Sequence, residues 1–251
     1  MTAIARLTRA EVRKLATTRA FLITVAIAIG LAVIAVLVDV AEAGKNQAPA
    51  LGTAASTYNM LKLGGVCSVA MLIVGIIASG GEYRHKTIIS ATLITPRRSA
   101  QVAAKTIAAA IAAVVLTGLT FGLGLATIVA ELHAHGFGQL PPGTTRMVAG
   151  SVIAAVLFGV IGVALGYITR STTAAVVGAV GWVLFVELAI LHTLAPHLAK
   201  WLVTGAASAL TDPGVLASRA LTPATAVAVL SGYAVVLLAV ASRLVLRRDV
   251  P

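Results

Sequence analysis

Few residues in this sequence have the types and spacing that chemistry requires. His133 and His135 lie two positions apart near Glu131, but the third and fourth ligands of a zinc site are missing. The sequence has no Ser/His/Asp set, no carboxylate pair of defined spacing, and no G-x-x-x-x-G-K-[ST] segment to cradle the phosphates of a nucleotide. We therefore predict no catalytic residue, no metal and no cofactor in this chain, and no ATP hydrolysis of its own.

Glu187 is the one charged residue well inside an apolar segment. A carboxylate at the centre of a membrane costs about 2.5–3.5 kcal/mol on insertion scales, so it must be protonated, hydrogen-bonded or open to a polar cavity. Two interpretations stay open. Glu187 lines a translocation path, with His192 nearby, or it makes a structural hydrogen bond between helices.

The composition indicates which elements must position these residues. Of 251 residues, 59% are hydrophobic and 11% are charged, and the mean hydropathy is +1.01. These values exclude an ordinary cytosolic enzyme, a disordered chain and, since Cys67 is the only cysteine, a secreted disulfide scaffold. We predict an all-α, polytopic membrane protein with six transmembrane helices, because each apolar run is long enough to cross a bilayer. The six predicted spans make up a transmembrane domain over 21–242 and cover residues 21–38, 63–80, 106–130, 147–168, 173–194 and 223–242.

The basic residues predict how the chain is oriented in the cell membrane. With both termini in the cytoplasm, 14 of the 19 lysines and arginines lie in inner segments, which include the tail 243–251. That distribution follows the positive-inside rule. The net charge of +11 is therefore attributed to topology, and no nucleic-acid partner is predicted.

Two amphipathic segments flank the spans. In residues 1–20 a helix would place Arg6, Arg9 and Arg13 on one side, which predicts an interfacial helix whose basic face meets the headgroups of membrane lipids. Glu11 falls on the apolar arc of this helix and interrupts the pattern. The outer loop 195–222 repeats apolar residues at helical spacing, which favours one or two short helices dipping into the outer interface over a surface loop.

Glycine pairs four residues apart predict close contacts between helices. Gly118 and Gly122 form one pair in the third predicted span, and Gly162 and Gly166 form another in the fourth. We expect both pairs to pack helices rather than to bind a ligand.

The cytoplasmic loop 81–105 combines charged and apolar residues. After two glycines, residues 82–95 can form a short helix that ends before a proline, and its apolar residues suit docking into the groove of a partner. The loop contains, in order, Glu-Tyr-Arg, Thr-Ile, a leucine, Pro-Arg-Arg and a lysine that enters the next span. This succession resembles the first cytoplasmic loop of permease subunits of type-2 ABC exporters. The residues that carry this resemblance or are candidates for the contact are Glu82, Tyr83, Arg84, Thr87, Ile88, Leu93, Pro96, Arg97, Arg98 and Lys105.

The resemblance implies a function and partners. Residues 82–95 would be a coupling helix seated on a separate ABC ATPase subunit, residues 1–20 would contain the elbow helix, and a second permease chain, identical or related, would complete the transporter. Ile88 and Leu93 would fill a groove on the ATPase, while Glu82 and Arg84 would pair across the joint. The cargo would be amphipathic, drug-like or lipid-like. A membrane-embedded enzyme acting on lipid, a secondary carrier and a structural membrane protein are the alternatives.

Overall fold

The computed structural model describes residues 3–45, 48–84, 98–136, 140, 143–191, 195–212 and 221–247. Within these residues every regular element is a helix, as the composition predicts. The helices are α1 (Ala3–Thr17), α2 (Arg19–Glu42), α3 (Ala54–Met60), α4 (Gly64–Arg84), α5 (Arg98–Ala134), α6 (Thr144–Thr169), α7 (Thr172–Gly181), α8 (Pro196–Ala199), α9 (Val203–Thr211) and α10 (Pro223–Arg247), and a π-helical segment, Trp182–Leu191, continues α7.

Five helical segments are long and apolar enough to cross a membrane: Arg19–Glu42, Ala54–Tyr83, Ser99–Ala134, Thr144–Thr169 and Pro223–Val245. Each contains one of the predicted spans, and together they are consistent with a multi-pass membrane protein. The other predicted span, 173–194, corresponds among the described residues to a shorter apolar helix, Thr172–Glu187. A sixth crossing and the sides on which the termini lie stay predictions.

One extended residue separates α1 from α2. Thr18 has φ −79° and ψ 122°, so the helix predicted at the N-terminus ends at Thr17 before the first span begins. The side chains of Arg6, Arg9 and Arg13 are exposed, whereas Leu15 is buried in the core. Helix α1 is thus amphipathic, and its basic face is free of packing within the described part of the chain.

Helices α4 and α6 pack at the centre of the bundle with almost no side chain between them. A Cβ atom on Gly75 would overlap the carbonyl oxygen of Gly159, and a Cβ atom on Gly162 would overlap the carbonyl oxygen of Leu72. Helices α5 and α10 pack against α6, and α2 packs against α5. Close approach of the two central backbones therefore sets the geometry of the bundle.

Alanine at position 162 is expected to destabilise the protein, because the atoms it would meet belong to the backbone of α4 and cannot rotate away. Overpacking of this kind costs about 1–3 kcal/mol. The close contact predicted for Gly118 and Gly122 is not found, since a Cβ at either position meets no described atom within 4 Å. Gly118→Ala is therefore the matched control. Thermal unfolding in detergent should show a loss for Gly162→Ala and none for Gly118→Ala. Equal losses at the two positions would contradict the close α4–α6 contact.

Candidate functional site

Four charged side chains from three helices meet at one end of the bundle. We name Glu11, Lys14, Glu82 and Lys105 the charge cluster. Lys105 Nζ donates to Glu82 Oε1 at 2.8 Å and to Glu11 Oε2 at 2.7 Å, and Lys14 Nζ donates to Glu82 Oε1 at 2.6 Å. The two acids and two bases balance, so the cluster carries no formal net charge.

The centre of the charge cluster is buried. The side chain of Lys105 is 2% exposed and that of Glu82 is 6% exposed, whereas Glu11 and Lys14 are 22% and 48% exposed. A buried charge is tolerated only when partners replace the water that it loses. The carboxylates of Glu11 and Glu82 replace the water that Lys105 loses, and the ammonium groups of Lys14 and Lys105 replace the water that Glu82 loses.

Lys14 lies at the solvent side of the charge cluster on α1. Partial burial by itself would lower the pKa of Lys14, but the hydrogen bond and the negative charge of Glu82 outweigh burial and raise the pKa above its ordinary value of 10.5. Lys14 therefore stays protonated throughout the physiological range, and its ion pair with Glu82 is present there.

The charge cluster connects α1 to both helices that border residues 85–97. Glu82 lies in the last turn of α4, and Lys105 lies in the second turn of α5. The charge cluster therefore ties α1 to the end of α4 and to the start of α5.

The structure corrects the predicted start of the short helix over 82–95. Glu82, Tyr83 and Arg84 continue α4 instead of beginning a new helix after Gly80 and Gly81. The reason is packing: a Cβ on Gly80 would lie 3.3 Å from the backbone of Thr172, so this glycine admits a neighbouring helix and does not end its own.

The roles predicted for Glu82 and Lys105 change in the same way. Both were predicted to contact a partner, with Glu82 acting at the joint, but both side chains are buried in ion pairs within the chain. Within the described residues, the charged partners of both side chains belong to this chain, and their ion pairs position the helix ends. A contact of Glu82 or Lys105 with another subunit stays a prediction.

Tyr83 packs the end of α4 against the end of α6. Its ring meets the ring of Tyr167 edge to face, with 6.4 Å between the centroids. The guanidinium of Arg170 lies 5.4 Å from the centroid of the Tyr83 ring, and Arg170 ends α6 in a left-handed conformation with φ 55°. These contacts fix the helix ends beside the charge cluster.

The other predicted contact residues divide into two groups. Arg84 is the last residue of α4, and Arg98 is the first residue of α5. The rest lie outside the described residues, and they are Thr87, Ile88, Leu93, Pro96 and Arg97.

Glu187 forms a second site, which shares no residue with the charge cluster. It lies in the π-helical segment, and its residue is 1% exposed. Its Oε1 accepts a hydrogen bond from the indole N–H of Trp182 at 2.8 Å. Its Oε2 accepts two hydrogen bonds from Thr204, one from the backbone N–H at 2.7 Å and one from the hydroxyl at 2.5 Å. Three donors therefore surround the carboxylate.

These hydrogen bonds join the π-helical segment to α9. Trp182 precedes Glu187 by five residues, which is the hydrogen-bonding interval of a π-helix. Thr204 is in the first turn of α9, where free N–H groups and the helix dipole favour a negative charge. The interpretation as a structural hydrogen bond between helices accounts for the three hydrogen bonds of Glu187 among the described residues, and its place in a translocation path stays a prediction.

An apolar pocket of about 330 Å³ lies beside Glu187. Leu72 of α4, Ile161 of α6, and Leu237 of α10 are among the side chains that line it. Among the described residues of 195–222, α8 and α9 are two short helices, and Ala206 and Leu210 of α9 are buried against the bundle.

The sequence carried one signal of the charge cluster. Glu11 lies on the arc of α1 that is otherwise apolar, and a charge on a buried arc requires a buried partner of opposite sign. Sequence reasoning named Glu82 and Lys105 for another role and did not name Lys14. Thr204 and Trp182 were also missed, because neither carries a charge that would distinguish it.

Within the described part of the chain, no group of three or more His, Cys, Asp or Glu residues is placed to hold a metal ion. The site is thus a set of internal ion pairs and hydrogen bonds between helices. No protein-family model matches the chain, and no curated protein matches its sequence.

Proposed function

We propose that this chain is the membrane-spanning subunit of an ATP-driven ABC exporter. It crosses the cell membrane six times, with both termini in the cytoplasm, and works with a separate ATPase subunit and a second permease chain. The cargo is amphipathic, drug-like or lipid-like. ATP binding closes the ATPase subunits, the contact segment moves, and the permease opens or closes a path.

The charge cluster is the observation that carries this proposal. A permease driven by another subunit needs a segment that receives the motion and a rigid connection that passes it on. Residues 85–97 are the receiving segment in the proposal, and both of their flanking helices are tied to α1 through Lys105 and Glu82. Ion pairs that are buried and shared between three helices resist separation better than exposed ones.

The apolar pocket supports a path for an apolar cargo. It is lined by side chains from several helices and extends from Glu187 to Thr169 and Ala174, at the junction of α6 and α7. Helix α9 packs between α6 and α10, and Glu187 accepts the Thr204 N–H at its N-terminus. In the proposal α8 and α9 close the outer end of the path, and Glu187 keeps α9 in place.

Cysteine labelling tests the topology on which the proposal depends. In intact cells an impermeant maleimide should label Thr145→Cys and His197→Cys but not Ser99→Cys or Ser171→Cys, all four positions being exposed. The natural Cys67 is buried and gives no background. Labelling of both Ser171→Cys and His197→Cys, or of neither, would contradict a crossing between these two positions. Labelling of Ser99→Cys would contradict the proposed orientation.

Co-purification tests the function itself. The full chain, tagged and extracted from its source membranes, should recover a protein that carries the G-x-x-x-x-G-K-[ST] motif. Ile88→Asp should lower this recovery severalfold, since loss of an apolar anchor at an interface costs about 2 kcal/mol or more. Thr145→Asp, an exposed position at the other end of the bundle, is the matched control. Recovery of no such ATPase with the unaltered chain would overturn the proposal.

A further inference from the structure

A second cavity, of about 400 Å³, opens beside the charge cluster. It lies between α1, the start of α2, the end of α4 and the start of α7. Its lining combines apolar walls with acids and a lysine, and consists of Glu11, Lys14, Leu15, Thr18, Ala20, Ile77, Ala78, Gly81, Glu82 and Thr172. The volume is within the range of small-ligand sites, roughly 300–1,000 Å³.

Three polar atoms at this cavity have no partner among the described residues. Oε1 of Glu82 accepts hydrogen bonds from both lysines, so its Oε2 has no partner among the described residues. Oε2 of Glu11 accepts a hydrogen bond from Lys105, so its Oε1 has no partner there either. The hydroxyl of Thr172 is buried and makes no hydrogen bond there. The second oxygen of such a partly buried carboxylate can accept a hydrogen bond from a cationic N–H group.

The cavity lies where membrane headgroups would lie. Ala20 is the second residue of the segment Arg19–Glu42, Glu82 is the last but one of the segment Ala54–Tyr83, and Thr172 begins the shorter apolar helix. Three apolar segments therefore have their ends around one cavity. A ligand that reached it from the bilayer would place its polar head among the acids and its chain along Leu15 and Ile77.

From this arrangement we infer that the cavity binds a phospholipid whose head carries a primary ammonium group. The ammonium donates to Glu82 Oε2 and Glu11 Oε1, and the third N–H reaches the Thr172 hydroxyl. The half-exposed Lys14 at the rim pairs with the lipid phosphate. A quaternary ammonium has no N–H to donate, so the cavity discriminates against choline lipids. This inference requires only a membrane-embedded chain and is independent of any ATPase partner.

Native mass spectrometry of the purified full chain tests the inference directly. In micelles that contain equal amounts of dioleoyl-phosphatidylethanolamine and dioleoyl-phosphatidylcholine, the chain should retain the ethanolamine lipid in preference, by roughly tenfold. Ile77→Trp fills the cavity and should abolish the preference. Ile153→Trp, on an exposed apolar position of α6 away from the cavity, is the matched control and should keep it.

Two further measurements keep the test decisive. Thr172→Val removes one polar group with little change of shape, and it should reduce the preference even if Ile77→Trp fails to fold. Equal retention of both lipids by the unaltered chain, or a folded Ile77→Trp that keeps the preference, would overturn the inference. Displacement of the lipid by soluble phosphoethanolamine would assign the cavity to a water-soluble amine and would also overturn it.

Discussion

Lys105→Met is expected to lower the free energy of unfolding by about 3–5 kcal/mol, because it leaves buried carboxylates without their shared partner. Glu11 loses its ion pair within the described structure, and Glu82 keeps only the half-exposed Lys14. Methionine nearly matches lysine in length, so the change removes the charge and little of the packing. Thermal or denaturant unfolding of the detergent-solubilised chain measures the effect.

Lys62→Met is the matched control for this prediction. Lys62 pairs with Asp212 at 3.1 Å, and the two side chains are 45% and 12% exposed, so water reaches the ammonium directly. A pair with one end in water contributes less than a buried pair, so the same substitution should have a smaller effect there than at Lys105. Equal losses for Lys62→Met and Lys105→Met would show that the charge cluster is no more than a surface feature.

Glu187→Ala is expected to lower the free energy of unfolding by about 1–3 kcal/mol, because the buried carboxylate is the acceptor of three part-buried donors, and an unsatisfied donor costs up to that amount. Three donors lose their acceptor: the indole N–H of Trp182, and the backbone N–H and hydroxyl of Thr204. Glu187→Gln should have a smaller effect, since an amide retains one acceptor oxygen. Hydrogen exchange of the Thr204 amide should accelerate in both variants.

The two interpretations of Glu187 make opposite predictions for the glutamine variant. A structural role predicts lower stability and faster exchange at the N-terminus of α9. A role in the translocation path predicts altered cargo handling with unchanged stability and unchanged exchange, because the shape is kept and only the ionisable group is lost. The second outcome would contradict the structural assignment made from the hydrogen bonds.

The sequence predicts the architecture well, because the length of an apolar run is a local property. Five predicted spans lie inside helices of spanning length. The prediction failed at Gly80 and Gly81, which were expected to separate two helices. A glycine that ends a helix and a glycine that admits a neighbouring helix look the same in sequence, and only the position of Thr172 distinguishes them.

The charge cluster was much harder to predict, because its partners are distant in sequence. Lys105 pairs with Glu11 across 94 residues, and Lys14 pairs with Glu82 across 68. Charge signs alone allow many pairings among the ionisable residues. Glu11, an acid on the otherwise apolar arc of α1, was the local sign that a basic partner must exist. Nothing in the sequence says which lysine that partner is.

The site around Glu187 shows a related difficulty. The cost of a buried carboxylate predicts that Glu187 has partners, which is what the structure has. Their identity depends on a π-helical segment, and the usual helical period of 3.6 residues does not place Trp182 beside Glu187. Thr204 belongs to a separate short helix whose position is set by tertiary packing.

Photo-cross-linking from position 88 tests most directly that this chain works through a separate ATPase. A benzoylphenylalanine probe replaces Ile88 in the full chain, and the same probe at the exposed Thr145 is the control. On irradiation of source membranes, the probe at position 88 should form an adduct with a protein that carries the G-x-x-x-x-G-K-[ST] motif, and the probe at position 145 should not. An adduct with no such protein from position 88, or equal adducts from both positions, would contradict the proposed function.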